Sequence, residues 1–343
     1  MWDTHATIIK DLRVLTEQFI PSRIIHRDGQ LKVIRDNLAP LLDEQPPRNM
    51  FLFGPPGTGK TSMARYVLEE LKKQVSVYGC YINCWSYSTR FNILYTLLQE
   101  MGEILSVHRK GTPVDELLAI LERKVAKKTA VIILDEIDQL EDDRVLYDLV
   151  QHANVCLLLI GNHETVIGDL DDRVQSRLMG ADRIDFPSYG IDELADILWD
   201  RAEWGMLPET VTHNQVRRVA ALAKGDARIA LATLRSLAED AERKDLTKIP
   251  EGAIGMAYEW FTKQEQREAL ERLNDHQKLL LAIIAEKKTV KPDELYMLFK
   301  QQSQEQQLDV INERTIRKYL ERLIRYKAIS ATGEGRWRVY CVP

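Results

Sequence analysis

Apolar residues recur along this chain in two rhythms, and the place where one replaces the other divides it. Up to Pro187, short unbroken apolar runs alternate with stretches of helical spacing. The runs at 49–53, 75–83, 131–134, 155–160 and 183–186 predict buried strands. Residues 28–43, 61–73, 91–105 and 114–127 predict helices, and 7–20 predicts an amphipathic helix closed at Pro21. Strands alternating with helices predict an α/β unit, with a mostly parallel sheet covered on both faces. After Pro187 the strand runs stop, and 191–204, 214–223, 227–243 and 251–263 all predict helices. From about Asp275 the pattern changes again. Helices at 276–286, 293–304 and 313–326 precede strands at 328–332 and 336–341, joined through Gly333, Glu334 and Gly335. Three helices and a hairpin are the ingredients of a winged helix-turn-helix.

The first strand runs straight into residues 54–61, GPPGTGKT, and a helix follows. That order is the context a phosphate-binding loop requires. Glycines let the backbone wrap closely, so successive amides face phosphate oxygens, and the helix adds the positive end of its dipole. Pro56, Gly57, Thr58, Gly59, Lys60, Thr61 and Ser62 are the candidate cradle. Lys60 supplies a point charge to the β- and γ-phosphates of ATP, and Thr61 offers a hydroxyl to Mg2+. The expected ligands are therefore ATP or ADP with Mg2+.

Residues 131–138, VIILDEID, place two carboxylates at the end of a buried strand. Asp135 is expected to position the magnesium and Glu136 to act as general base toward water. Asn162, just past the strand at 155–160, is a candidate to contact the γ-phosphate or align that water. Arg173 and Arg177, in DDRVQSRL, compete for the role of an arginine finger reaching a neighbouring subunit's nucleotide. Arg228, opening a helix in GDARIALATLR, is placed to fold back onto the nucleotide and report its state.

Composition then limits the class. With 343 residues, 45% hydrophobic and 29% charged, this is an ordinary globular chain. It has no apolar run of membrane-spanning length and no basic-then-apolar start, so neither a membrane partner nor a signal peptide is expected. Cys80, Cys84, Cys156 and Cys341 match no metal or redox spacing and are expected as reduced, mostly buried thiols. Net charge is −5, yet residues 275–343 hold 13 Lys and Arg against 9 Asp and Glu. A basic end on an acidic body points to nucleic acid there. The helix around 313–326 carries Arg314, Thr315, Arg317 and Lys318 near its start, where a recognition helix meets bases. Arg336 and Arg338 follow on the hairpin, within reach of phosphates or a minor groove.

In this order, these motifs resemble archaeal replication initiators related to origin-recognition-complex subunit one and cell-division-cycle protein six. The resemblance rests on GPPGTGKT, LDEID, RVQSRL, GDAR and DHQKLLLAI, and covers essentially the whole chain. It implies an AAA+ nucleotide-binding core at 1–187, a helical lid domain at 188–270 and a winged-helix DNA-binding domain at 271–343. It implies that FIPSRIIHRDGQL places Ile24, Ile25 and Arg27 near adenine, and that 89–105 is a DNA-touching insertion. It further implies origin duplex DNA, the replicative helicase and other initiator subunits as partners, weak ATPase activity used as a switch, and a cytoplasmic, nucleoid-associated location. Two other readings fit the residues: a clamp-loader-like ATPase stimulated by DNA, and a signalling ATPase whose winged helix docks protein.

Overall fold

The computed structural model describes residues 8–103, 112–271, 273–333 and 338–342. They form two compact units, Met1–Tyr258 and Glu259–Pro343.

The first unit opens with α1 (Asp28–Leu38), β1 (Met50–Phe53), α2 (Lys60–Lys72), β2 (Tyr78–Asn83) and α3 (Arg90–Glu100). Then come α4 (Val114–Val125), β3 (Ala130–Asp135), α5 (Arg144–Val150), β4 (Val155–Gly161), α6 (Asp172–Leu178) and β5 (Asp182–Asp185). The strands pair in the order β2-β3-β4-β1-β5, all parallel. Period-2 alternation sends consecutive residues to opposite faces. Ala130, Ile132 and Leu134 pack with Ile93 of α3, Leu117 of α4, Val145 of α5 and Val174 of α6. Val131 and Ile133 pack instead with Ile34 of α1 and Met63 of α2. Both faces are thus covered, which is why β3 reads as an unbroken apolar run. A bidentate ion pair, Arg90 to Asp148 at 2.6 and 2.9 Å, ties α3 to α5.

Three helices, α7 (Ile191–Gly205), α8 (His213–Ala223) and α9 (Ala227–Arg243), complete this unit around Leu194, Leu198, Val216 and Leu234. The helix expected over 7–20 is not there. Ile9 bridges Met206, and only a 3-10 turn at Leu12–Leu15 follows. The Glu242 carboxylate accepts the amides of Ile8 and Ile9 at 2.7 and 3.0 Å, while Ile8 and Leu15 enter the helical core. Those tertiary bonds hold the segment extended against its local helical spacing.

Helix α10 (Ala253–Glu271) begins before the division between the units and ends after it. The second unit contains α11 (Asp275–Lys287), β6 (Thr289–Val290), α12 (Pro292–Glu305), α13 (Glu313–Arg325), β7 (Ser330–Thr332) and β8 (Val339–Cys341). Its sheet has three strands, β6-β8-β7, all antiparallel, rather than the two of a hairpin. Leu280, Ile283, Leu295, Leu320 and Leu323 fill its core.

Three cysteines are buried and Cys341 is half-buried, and none forms a disulfide. Burial pushes the Cys80 and Cys156 thiols up to about 12. Among the described residues, no helix is long and apolar enough to cross a membrane.

Candidate nucleotide site

The site sits at the carboxyl ends of the parallel strands, where an open sheet of this kind takes its ligands. The chain leaves β1 at Phe53 and turns through Gly54, with φ of 139°. A Cβ there would stand 2.2 Å from the Phe186 carbonyl oxygen, so only glycine lets the loop's root pass the end of the neighbouring strand. Gly57 and Gly59, at φ of 72° and 91°, complete the curl.

Lys60 is buried at the start of α2, and its ammonium donates to the carbonyls of Gly54 and Pro55 at 2.6 and 2.7 Å. The Thr58 hydroxyl donates to the Pro55 carbonyl at 2.9 Å. Pro56 and Ser62 flank this turn, half-buried. Arg27 braces the loop from outside. Its guanidinium donates to the Thr58 and Pro187 carbonyls at 3.3 and 2.5 Å and lies 3.9 Å from the Tyr189 ring centroid. Ile24 packs against the core on the α2 side of the sheet, and Ile25 is half-buried.

Burial pulls the Lys60 pKa down from 10.5 to about 8, the nearby Asp135 carboxylate opposing it. Lys60 is charged in folded and unfolded chains below about pH 8. Between there and 10.5 the unfolded chain holds more proton, so this group's contribution to stability rises with pH in that window. Phosphate demands the charged form. ATP affinity is therefore expected to be flat below about pH 8 and to fall by about tenfold per pH unit above it. Calorimetry in two buffers of different ionisation enthalpy checks this, because proton uptake must appear only on the falling limb.

The Thr61 hydroxyl donates to Asp135 Oδ2 at 2.7 Å, and the Tyr81 hydroxyl donates to the same oxygen at 2.9 Å. Burial pushes the Asp135 pKa up, while the bonds from Thr61 and Tyr81 hold it down. These oxygens fit Mg2+, a hard cation usually held by one or two carboxylates together with substrate phosphates. No three His, Cys, Asp or Glu converge into an all-protein cage among the described residues.

Glu136 follows Asp135 at a left-handed φ of 57°. Asn162 is buried, and its amide nitrogen donates to both carboxylate oxygens of Asp138 at 3.1 and 3.2 Å. A carboxylate only accepts, so this contact fixes which way the carboxamide faces.

The Arg228 charge reaches Lys60 and adds to the lowering of its pKa. Arg228 donates to Asp226 at 3.2 Å. Arg173 is paired with Asp171 at 3.0 Å and lines an open cavity of about 160 Å3 with Arg90, Arg144 and Asp148. Arg177 stands 6.0 Å from the Tyr147 ring centroid. In the second unit, the Asn312 carboxamide oxygen accepts the Thr315 amide at 2.8 Å, so Asn312 caps α13. Arg317 is exposed, Lys318 half-buried, and Arg338 sits 5.5 Å from the Tyr340 ring centroid. Arg336 and the side chain of Arg314 lie outside the described residues, as does part of the segment at 89–105.

Three residues not anticipated from sequence join the site: Tyr81, Asp138 and Asp226. Asp138 was legible in principle, two positions beyond Glu136 at a strand end. Asp226 caps α9, accepting the Arg228 and Ile229 amides, and a Cβ on Gly57 would stand 1.9 Å from its Oδ1. The Ala227 amide donates to the Gly57 carbonyl at 3.0 Å, so the helical layer docks directly on the phosphate loop.

A model of the AAA domain matches residues 43–166, and a model of the Cdc6 AAA+ ATPase-type lid domain matches residues 195–259. ORC1-type DNA replication protein 9 of Halobacterium salinarum is 36% identical over 335 residues, covering 97% of this chain and 93% of its own. The ORC1-type DNA replication protein of Pyrococcus abyssi is 34% identical over 298 residues, covering 81% and 71%. Among solved structures, the Aeropyrum pernix ORC1 protein in complex with DNA is similar, with a TM-score of 0.76 and 28% identity over 98% of this chain and 93% of its own.

Proposed function

The chain belongs to the family of ORC1-type DNA replication proteins, AAA+ ATPases with a Cdc6-type lid, and we propose that it is an ATP-dependent initiator that binds origin duplex DNA and assists loading of the replicative helicase. The observation that carries this is one chain holding both a phosphate loop docked to a lid and a separate basic unit with a capped, strongly amphipathic helix. That the Aeropyrum pernix relative was solved with DNA supports the same ligand class here. The second unit is read as a winged helix, with α13 as recognition helix and β7 and β8 as wing.

In this reading Lys60 and the backbone amides of 57–62 bind the phosphates, Pro56 shapes the turn that presents them, and Arg27 keeps the loop in shape. Thr61 and Asp135 would hold Mg2+, which would supply positive charge toward the phosphates. Glu136 accepts the proton of the attacking water, and Asn162, held by Asp138, orients near it. Arg228 moves from Asp226 toward the nucleotide and carries its state to the lid. Hydrolysis is slow and serves as a switch, with Arg173 or Arg177 completing a neighbouring subunit's site. The protein acts in the cytoplasm on the nucleoid.

Footprinting across intergenic duplex DNA, with ATP and with ADP, tests the DNA assignment. Arg317→Ala is expected to lose about 1–3 kcal/mol at particular sites if Arg317 reads bases, whereas Lys318→Ala should weaken all sequences alike and lower the salt slope by about one if it meets phosphate. Equal affinity for every sequence, unchanged in both variants, removes the origin-binding reading.

A further inference from the structure

We propose that Tyr81 is a positioning residue for the cation site, holding the Asp135 carboxylate in the orientation that receives Mg2+. This rests on reading Thr61 and Asp135 as the cation pair.

Tyr81 lies on β2, the edge strand, and pairs in register with Ile133 of β3, while Asn83 pairs with Asp135. Tyr81 and Asp135 therefore emerge on the same sheet face, two positions apart along the strand direction. A phenol is long enough to close that gap, and its hydroxyl donates to Asp135 Oδ2 at 2.9 Å. The same oxygen accepts from Thr61 at 2.7 Å. Two donors from two different elements thus converge on one carboxylate oxygen of Asp135, a buried residue. The Tyr81 ring is itself held: the Arg65 guanidinium, one turn beyond Thr61 on α2, lies 5.2 Å from its centroid.

The two donors have different duties. The Thr61 hydroxyl oxygen is a cation ligand in this reading, with lone pairs left for the metal while its proton goes to Asp135. The tyrosine hydroxyl has no such duty and serves only to hold the carboxylate's rotamer. Partners that orient a ligand in this way typically change metal affinity by about 10–100-fold when lost.

The test uses the full chain and a fluorescent ADP, titrated with Mg2+ and in EDTA, with Mn2+ binding followed by electron paramagnetic resonance. Tyr81→Phe is expected to raise the half-saturating Mg2+ by about tenfold and to weaken the Mn2+ signal in proportion. Its ADP affinity in EDTA should match the parent's. Asp135→Asn serves as reference and should raise the half-saturating Mg2+ at least as far. If Asp135→Asn shifts and Tyr81→Phe stays within twofold of the parent, the Tyr81 inference falls alone. If neither shifts, the cation reading falls and takes the inference with it. An equal loss with and without metal assigns Tyr81 a merely structural role and overturns the proposal. Should Tyr81→Phe not fold, Arg65→Ala decides, because it frees the ring and leaves the hydroxyl. A smaller shift in the same direction supports the proposal, and no shift overturns it.

Discussion

Replacing Glu136 with glutamine is expected to lower ATP turnover by about 10²–10⁴-fold, the usual contribution of a positioned general base, while ATP stays bound. The substitution is nearly isosteric and removes only the ability to take a proton. The strand that presents it is buried from Ala130 to Asp135 and packed from both faces, so the backbone has little freedom to adjust. Glu136 sits at φ of 57°, and glutamine meets that conformation at a similar steric cost. Thr61, Tyr81 and Asp135 keep their bonds to one another, which leaves the proposed cation site intact. Single-turnover hydrolysis alongside retention of labelled ATP checks the two halves together. Turnover within threefold of the parent would move the base to another residue.

The second large effect is expected from Gly57→Ala, and it bears on stability as well as on binding. A Cβ at this position meets the Asp226 carboxylate at 1.9 Å, and the backbone holds φ of 72°. Alanine in that left-handed region costs about 1–2 kcal/mol. Relieving the clash requires Asp226 to move, and Asp226 caps α9 through the Arg228 and Ile229 amides. Losing such a cap costs about 0.5–2 kcal/mol. Together these predict a loss of about 1.5–4 kcal/mol, which in a unit of this size lowers Tm by about 3–16 °C. The bond from the Ala227 amide to the Gly57 carbonyl should weaken too, loosening lid from loop. Differential scanning fluorimetry with and without ADP measures both consequences. A variant with unchanged Tm and unchanged stabilisation by ADP would show that the loop tolerates a Cβ and that the docking contact is dispensable.

Some of this architecture could be read from the sequence because single elements were strongly determined. The run VIILD has no alternative to a buried parallel strand once covered on both faces, and GPPGTGKT joins a strand to a helix with little freedom. The bounds of α1 were misjudged because Pro40 lies beyond the helix, where a 3-10 turn from Ala39 to Asp43 takes over. The first residues were misjudged because Glu242, more than 230 positions away, accepts their amides. The short strand Thr289–Val290 was missed because two residues carry no periodicity, and it exists by pairing with Tyr340 and Cys341. The same distinction applies at the site. Thr61, Asp135 and Glu136 stand inside contiguous motifs. Tyr81 and Asp226 reach them only through the fold, one by strand register and the other by the return of α9 to the phosphate loop.

The pairing of β1 has a consequence for how the molecule is made. Met50 lies beside Leu158 on one side and Asp182 on the other, so the strand feeding the phosphate loop is synthesised early and completed late. Partners this distant in sequence are costly to bring together by loop closure, and contacts of this kind slow folding. Until Asp185 has left the ribosome, β1 has no full set of neighbours, and Gly54 has no Phe186 to turn against. A nascent chain therefore carries the complete GPPGTGKT segment through well over a hundred residues of synthesis before that segment acquires the shape that grips a phosphate. Competence to hold nucleotide comes only with the closing of the sheet, which makes it a late checkpoint on the folding of this unit.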